Sequence, residues 1–116
     1  MKDYNGKITY KGQDFTLVFN LNVMERIQEE YGSIAKWGEL TDSKGAEPNV
    51  KAVIFGFTEM LNEGIDMENE ETGSHKALLT KRQVGRMITE IGLLETTSAL
   101  NKTVVTSTQS GTEKNE

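Results

Sequence analysis

The sequence predicts an α+β fold, in which an N-terminal antiparallel β-hairpin packs against a small bundle of four or five helices. Three observations carry that expectation. Residues 6–19 alternate apolar and polar side chains on both sides of a glycine, as hairpins do. Residues 22–31, 50–61 and 80–91 repeat apolar side chains at helical spacing. Gly32, Gly64 and Gly92 close those three patterns, so the chain turns back on itself instead of running on.

A two-residue turn at Gly12-Gln13, with glycine first as a type II′ turn requires, would pair Lys11 with Asp14, Tyr10 with Phe15, Thr9 with Thr16 and Ile8 with Leu17. Ile8, Tyr10, Phe15, Leu17 and Phe19 then share one face. A lone two-stranded hairpin is marginal in water, so that face must be covered by something else. The following segment offers a surface. Asn22 and Glu25 have the spacing of a capping pair, and Val23, Met24, Ile27 and Tyr31 recur on one side. Ser33 starts a shorter turn that carries Ile34 and Trp37, with Trp37 as a lid on the core.

Residues 41–47 are polar turn formers, and Pro48 suits the first turn of a third helix. Between residues 50 and 62 the 100° helical step puts Val50, Val53, Ile54, Phe57 and Leu61 on one stripe with Met60 at its margin, and leaves Phe55 off it beside Lys51 and Glu59. The acidic stretch from Glu59 to Gly73 predicts a loop over 65–76. Thr80 and Gln83 then form a T-x-x-Q capping box, and Val84, Met87, Ile88 and Ile91 line one face of the helix it opens. A weaker helix runs from Leu93 to about Val105, its threonines lowering its propensity.

Residues 1–105 are thus expected to form a single domain, and 106–116 a disordered C-terminal tail with nothing to bury. The expected core is Ile8, Phe15, Leu17, Ile27, Tyr31, Val53, Ile54, Phe57, Leu61, Val84, Ile88 and Ile91. Leu, Ile, Val and Phe make only 27 of the 116 residues, so that core is small.

Composition narrows the function. Thirteen Lys and Arg against eighteen Asp and Glu give a formal charge of −5, the wrong sign for holding nucleic acid or an anionic membrane. There is no cysteine for a disulfide or a thiolate metal site. The longest nearly apolar run, Val53 to Phe57, is far too short to span a bilayer, and Met1-Lys2-Asp3-Tyr4 leads into no signal core. A soluble intracellular protein is expected.

Catalytic chemistry has little to stand on. His75 is the single histidine and sits in a Gly-Ser-His-Lys stretch without an orienting partner in sequence, so a solvated loop residue is expected rather than a general base. The run Asp66, Glu68, Glu70 suggests a calcium loop, but Glu71 stands where the glycine belongs and Ala77 where the closing glutamate belongs. Lys81, Arg82 and Arg86 lie on the exposed side of the 80–91 helix, but the preceding helix ends too early for a helix-turn-helix unit. No enzyme, cofactor or metal site is expected. The supply of adaptable apolar side chains, Met24, Met60, Met67, Met87, Trp37, Phe55 and Phe57, points instead to holding other polypeptides.

Tyr-Lys-Gly-Gln-Asp-Phe-Thr-Leu-Val-Phe-Asn at 10–20, Glu-Glu-Tyr-Gly-Ser at 29–33, the apolar helix 50–61 and Leu-Thr-Lys-Arg-Gln-Val at 79–84 resemble, in pattern and order, the tail assembly chaperones of long-tailed bacteriophages. The resemblance covers about residues 8–100. It implies a non-enzymatic assembly factor of phage or prophage origin, working in the cytoplasm of the bacterial host and absent from the mature virion. Its partners would be the apolar helical tape-measure protein, which it keeps soluble, and the tail tube protein, which it helps recruit. Self-association is also compatible with it. In that family a longer form often arises by ribosomal frameshifting. On this reading Phe55, Phe57, Met60, Leu61 and Met87 would contact the client, with the acidic stretch keeping the complex soluble. The alternative is a structural tail or head-to-tail connector subunit whose hairpin pairs edge to edge into a ring.

Overall fold

A computed structural model describes residues 5–42 and 47–114, with side chains given from Gly6 to Val105 within those stretches and again at Ser107. Part of the polar turn expected at 41–47, namely 43–46, lies outside the described residues, as do the first four residues and positions 115–116 of the expected tail. Two antiparallel strands, β1 (Asn5–Tyr10) and β2 (Gln13–Val18), are followed by α1 (Leu21–Tyr31), α2 (Ile34–Thr41), α3 (Val50–Thr72), α4 (Lys81–Ile91) and α5 (Leu93–Lys114). The hairpin packs against the helices, an α+β fold.

The hairpin turn is Lys11-Gly12 rather than Gly12-Gln13. Both residues are left-handed, at φ 53° and 76°, as a type I′ turn requires, and that turn follows the right-handed twist of the strands. Tyr10 therefore pairs with Gln13, Thr9 with Asp14, Ile8 with Phe15 and Gly6 with Leu17. Each partner moves by two residues from the expected register. Because side chains alternate with period two, Ile8, Tyr10, Phe15 and Leu17 keep their common face.

Asn20, not Asn22, caps α1, its side chain accepting the Val23 N–H at 3.2 Å. The Nδ2 groups of Asn20 and Asn22 both donate to one carboxylate oxygen of Glu63, at 2.8 and 3.1 Å, tying the start of α1 to α3. Ser33 caps α2, which carries Trp37 into the core. The indole N–H donates to the Ala52 carbonyl at 3.0 Å, so this large side chain is buried with its polar atom satisfied.

The largest departure from expectation is α3. It runs 23 residues, through Gly64 and most of the acidic stretch, and ends at Gly73 in the left-handed conformation, whose N–H donates to Asn69. The loop expected at 65–76 is therefore helix as far as Thr72, because the buried stripe extends to Ile65, one turn past Leu61. Pro48 precedes the Asn49 cap instead of occupying the first turn. Gly64 marks a close approach: a Cβ there would stand 2.5 Å from the backbone oxygen of Thr16, so the helix can lie on β2 only where that side chain is missing.

Helix α5 likewise continues to Lys114, where a disordered tail was expected from 106. Thr96, Thr97 and Thr103 are buried, and each donates its hydroxyl to a carbonyl three or four residues back, Gly92 just before α5 for Thr96 and Leu94 and Ala99 within it for the other two, which removes the cost of enclosing it. The Ser107 hydroxyl donates to the Phe19 carbonyl at 3.2 Å. The Ser107 bond and the burial of Leu100 and Thr103 tie α5 to the rest of the fold, a support that helix propensity does not count.

The core joins Leu17, Phe19, Val23, Ile27 and Trp37 to Val53, Phe57, Met60, Leu61, Val84, Ile88 and Leu100. Of the expected core, Ile8, Phe15, Tyr31, Ile54 and Ile91 are only partly buried and pack around its edge. No helix of the described residues is long and apolar enough to cross a membrane.

Candidate partner-binding groove

The five side chains expected to meet a client are enclosed. Relative exposure is 7% for Phe55, 0% for Phe57 and Met60, 1% for Leu61 and 4% for Met87. Phe57, Met60 and Leu61 face inward from α3, and Met87 meets them from α4. The exposed apolar face expected from them is not present in the folded chain, because α4, α5 and the hairpin cover it. Phe55 is a boundary case: it lies off the main stripe, yet the edge of Tyr31 and the arm of Lys81 close over it.

What remains open lies one helix face away. The first half of α3 and the exposed side of α4 enclose a groove of about 610 Å³, with Val50, Ile54, Phe55 and Gly85 as its floor and Lys51, Lys81, Arg82 and Arg86 around it. Val50 is 52% exposed although it is a large apolar residue, and Ile54 is half-buried. A Cβ built on Gly85 would find only Ile54 Cδ1, at 3.8 Å, so the floor is open above that glycine. Lys81 Nζ stands 5.0 Å from the centre of the Phe55 ring, and Tyr31 meets the same ring edge-on at 5.6 Å.

The segment between α3 and α4 fixes the groove's second wall. The Asn62 side chain donates to the Leu79 carbonyl at 2.9 Å and accepts the Leu79 N–H at 2.8 Å. Two turns further on, Asn69 makes the same double bond to Lys76, at 3.0 Å in each direction. Two amides seven residues apart on one helix face thus strap the returning chain along α3. The capping box read from the sequence then starts α4, with Thr80 Oγ1 accepting from Gln83 N and Gln83 Oε1 accepting from Thr80 N.

Charge is unevenly divided. Among the described residues the ion pairs are Lys11 with Glu90, Arg26 with Glu59 and Lys76 with Glu68, and none of the four groove cations takes part. An acidic protein therefore carries around an apolar floor four positive side chains that have no ion-pair partner among the described residues. Its exposed carboxylates Asp66, Glu68, Glu70 and Glu71 lie at the far end of α3, about 24–32 Å along the axis from Val50 at 1.5 Å per residue. Next to the groove, Tyr31 holds its proton more tightly than a free tyrosine, chiefly because burial disfavours the phenolate and secondarily because Glu30 is near.

His75 is exposed in the 73–80 segment, and no group of three or more His, Cys, Asp or Glu side chains among the described residues is placed to hold a metal. A second cleft, of about 480 Å³, opens between β1 and α5; it has Ile8, Ile91 and Ala99 on its walls and both signs of charge, Glu95 and Lys102, at its mouth.

Lys81, Arg82 and Arg86 are legible in the sequence as an exposed face, and Phe55 as a residue off the core stripe. Their juxtaposition is not. The signal that could have found it is a shared spacing, since 50, 51, 54 and 55 on α3 and 81, 82, 85 and 86 on α4 both follow the i, i+1, i+4, i+5 pattern of one helix side. No family model matches the chain, and neither the curated proteins nor the solved structures contain a significant match to it.

Proposed function

We propose that this protein is a non-enzymatic tail assembly chaperone of a long-tailed phage or prophage, working in the host cytoplasm and leaving before the virion matures. It binds the apolar helical tape-measure protein, keeps it soluble and helps recruit tail tube subunits. The reading rests on the resemblance in motif and element order between residues 8 and 100. The observation that carries it furthest is the open groove between α3 and α4, because two neighbouring helices with an apolar floor between them are a ready seat for a third helix. Contact then comes from Val50 and Ile54, with the buried Phe55 ring beneath them, in place of the enclosed side chains Phe57, Met60, Leu61 and Met87. The connector alternative has less support: an edge-to-edge ring needs a free edge on both strands, and α3 lies over β2 at Thr16.

The test is co-expression with the long helical product of the neighbouring tail gene. The reading requires that product to shift from pellet to supernatant and to co-purify with this chain. A tape-measure protein that stays insoluble beside abundant, folded partner would overturn it.

A further inference from the structure

We infer that the α3–α4 groove selects an amphipathic helix whose apolar stripe is flanked by carboxylates. This rests on the reading of the protein as a binder of helical clients and names the chemistry of the helix it takes. Three observations point there. The floor is apolar and open, with Val50 half-exposed and only Ile54 Cδ1, at ordinary contact distance, near the Cβ position of Gly85. Lys51, Arg82 and Arg86 are exposed and have no carboxylate partner among the described residues, and Lys81 leans over Phe55. The chain as a whole is at −5, so these cations are a local feature and not a general basicity.

Shape and charge together choose the occupant. From Lys81 to Thr89 the α4 wall is about 12 Å long, enough for two turns of a docked helix. An apolar stripe would cover Val50 and Ile54, while Glu or Asp on either side of it would reach the cations. A second copy of this chain offers a poorer fit. Its acidic stretch, Asp66 to Glu71, presents Met67 as its one partly exposed apolar side chain, so it would meet the rim and leave the floor uncovered. A nucleic acid would satisfy the rim but has no stripe for the floor, and it would have to approach a protein of its own sign.

The experiment uses the full chain and two synthetic helices of about 16 residues with an identical Leu/Ile stripe, one flanked by Glu and one by Lys. Anisotropy should give roughly tenfold tighter binding of the Glu peptide at low salt, with the gap closing as salt is raised. Arg82→Glu with Arg86→Glu should reverse the preference, and Gly85→Leu, which fills the floor, should weaken both peptides with the helical spectrum intact. Both arginines are exposed, and the peptide comparison needs no variant, so the result does not hang on whether a mutant folds.

Equal binding of the two peptides, or tighter binding of the Lys peptide, overturns the inference. So does displacement of the Glu peptide by a single-stranded oligonucleotide of equal charge. Self-association that disappears in the double arginine variant would assign the groove to a second copy and also overturn it. Glu-peptide binding without rescue of the tape-measure protein would sink the chaperone reading and leave the groove's selectivity standing; rescue without peptide discrimination would do the reverse.

Discussion

Tyr31 shows what a single buried atom does to this fold. Its ring closes one side of Phe55, yet its hydroxyl is buried with no hydrogen-bond partner among the described residues. A buried hydroxyl without a partner loses its water and gains nothing, so Tyr31→Phe should leave stability unchanged or raise it by up to about 1 kcal/mol. The same burial fixes an alkaline signature. The folded state keeps the Tyr31 proton above the ordinary value of 10.0, so the unfolded chain deprotonates first once pH passes that value. The unfolded state then binds fewer protons, and stability falls as pH rises through that window, while below it Tyr31 contributes no slope. Urea midpoints at neutral pH and near pH 11 for both proteins should show a smaller alkaline loss in the phenylalanine variant. An identical loss would mean that the hydroxyl is hydrated in solution.

At the scale of elements, the strap between α3 and α4 matters most, because the groove has no second wall without it. Asn62 satisfies both backbone groups of Leu79 in a partly buried setting, whereas the Asn69 bonds to Lys76 are exposed and compete with water. Asn62→Ala should therefore cost about 1–3 kcal/mol and Asn69→Ala below about 1 kcal/mol, read as shifts in the thermal or urea midpoint. Equal costs would show that the two bonds have the same access to solvent. Local rules found the start of α4, whose cap is written in Thr80 and Gln83. The end of α3 was not legible in the same way. Gly64 looks like a stop, and six acidic side chains look like solvated loop, until β2 is known to pass over that glycine. The cause lies in a strand nearly fifty residues away. Asn62 and Asn69 have the same difficulty, since nothing local says that a helical asparagine will hold a returning chain.

For the whole molecule, the α+β class and most of the core follow from periodicity, because which side chains avoid water depends on the face of an element and not on its neighbour. Ile8, Phe15 and Leu17 stay on one face even though the hairpin turn moved by a residue. The groove depends on which helices meet and on what remains uncovered afterwards, so Met60 and Met87 joined Phe57 and Leu61, already expected in the core, while Val50 stayed outside. Two helical glycines measure the difference between closed and open packing. In a free helix, glycine to alanine is worth about 1 kcal/mol in favour of alanine. At Gly85 the new methyl would meet only Ile54 Cδ1 at 3.8 Å, so Gly85→Ala should keep most of that gain. At Gly64 it would stand 2.5 Å from the Thr16 backbone oxygen, which cannot swing aside as a side-chain end can. Helix and strand would have to part, and overpacking of that kind costs about 1–3 kcal/mol, more than the propensity returns. Gly64→Ala should thus lower the melting temperature while Gly85→Ala raises it, in the same helical context and with the same added atom. If both variants gained stability, α3 would have to lie further from β2 than described, and the hairpin would lose the support that a two-stranded sheet needs.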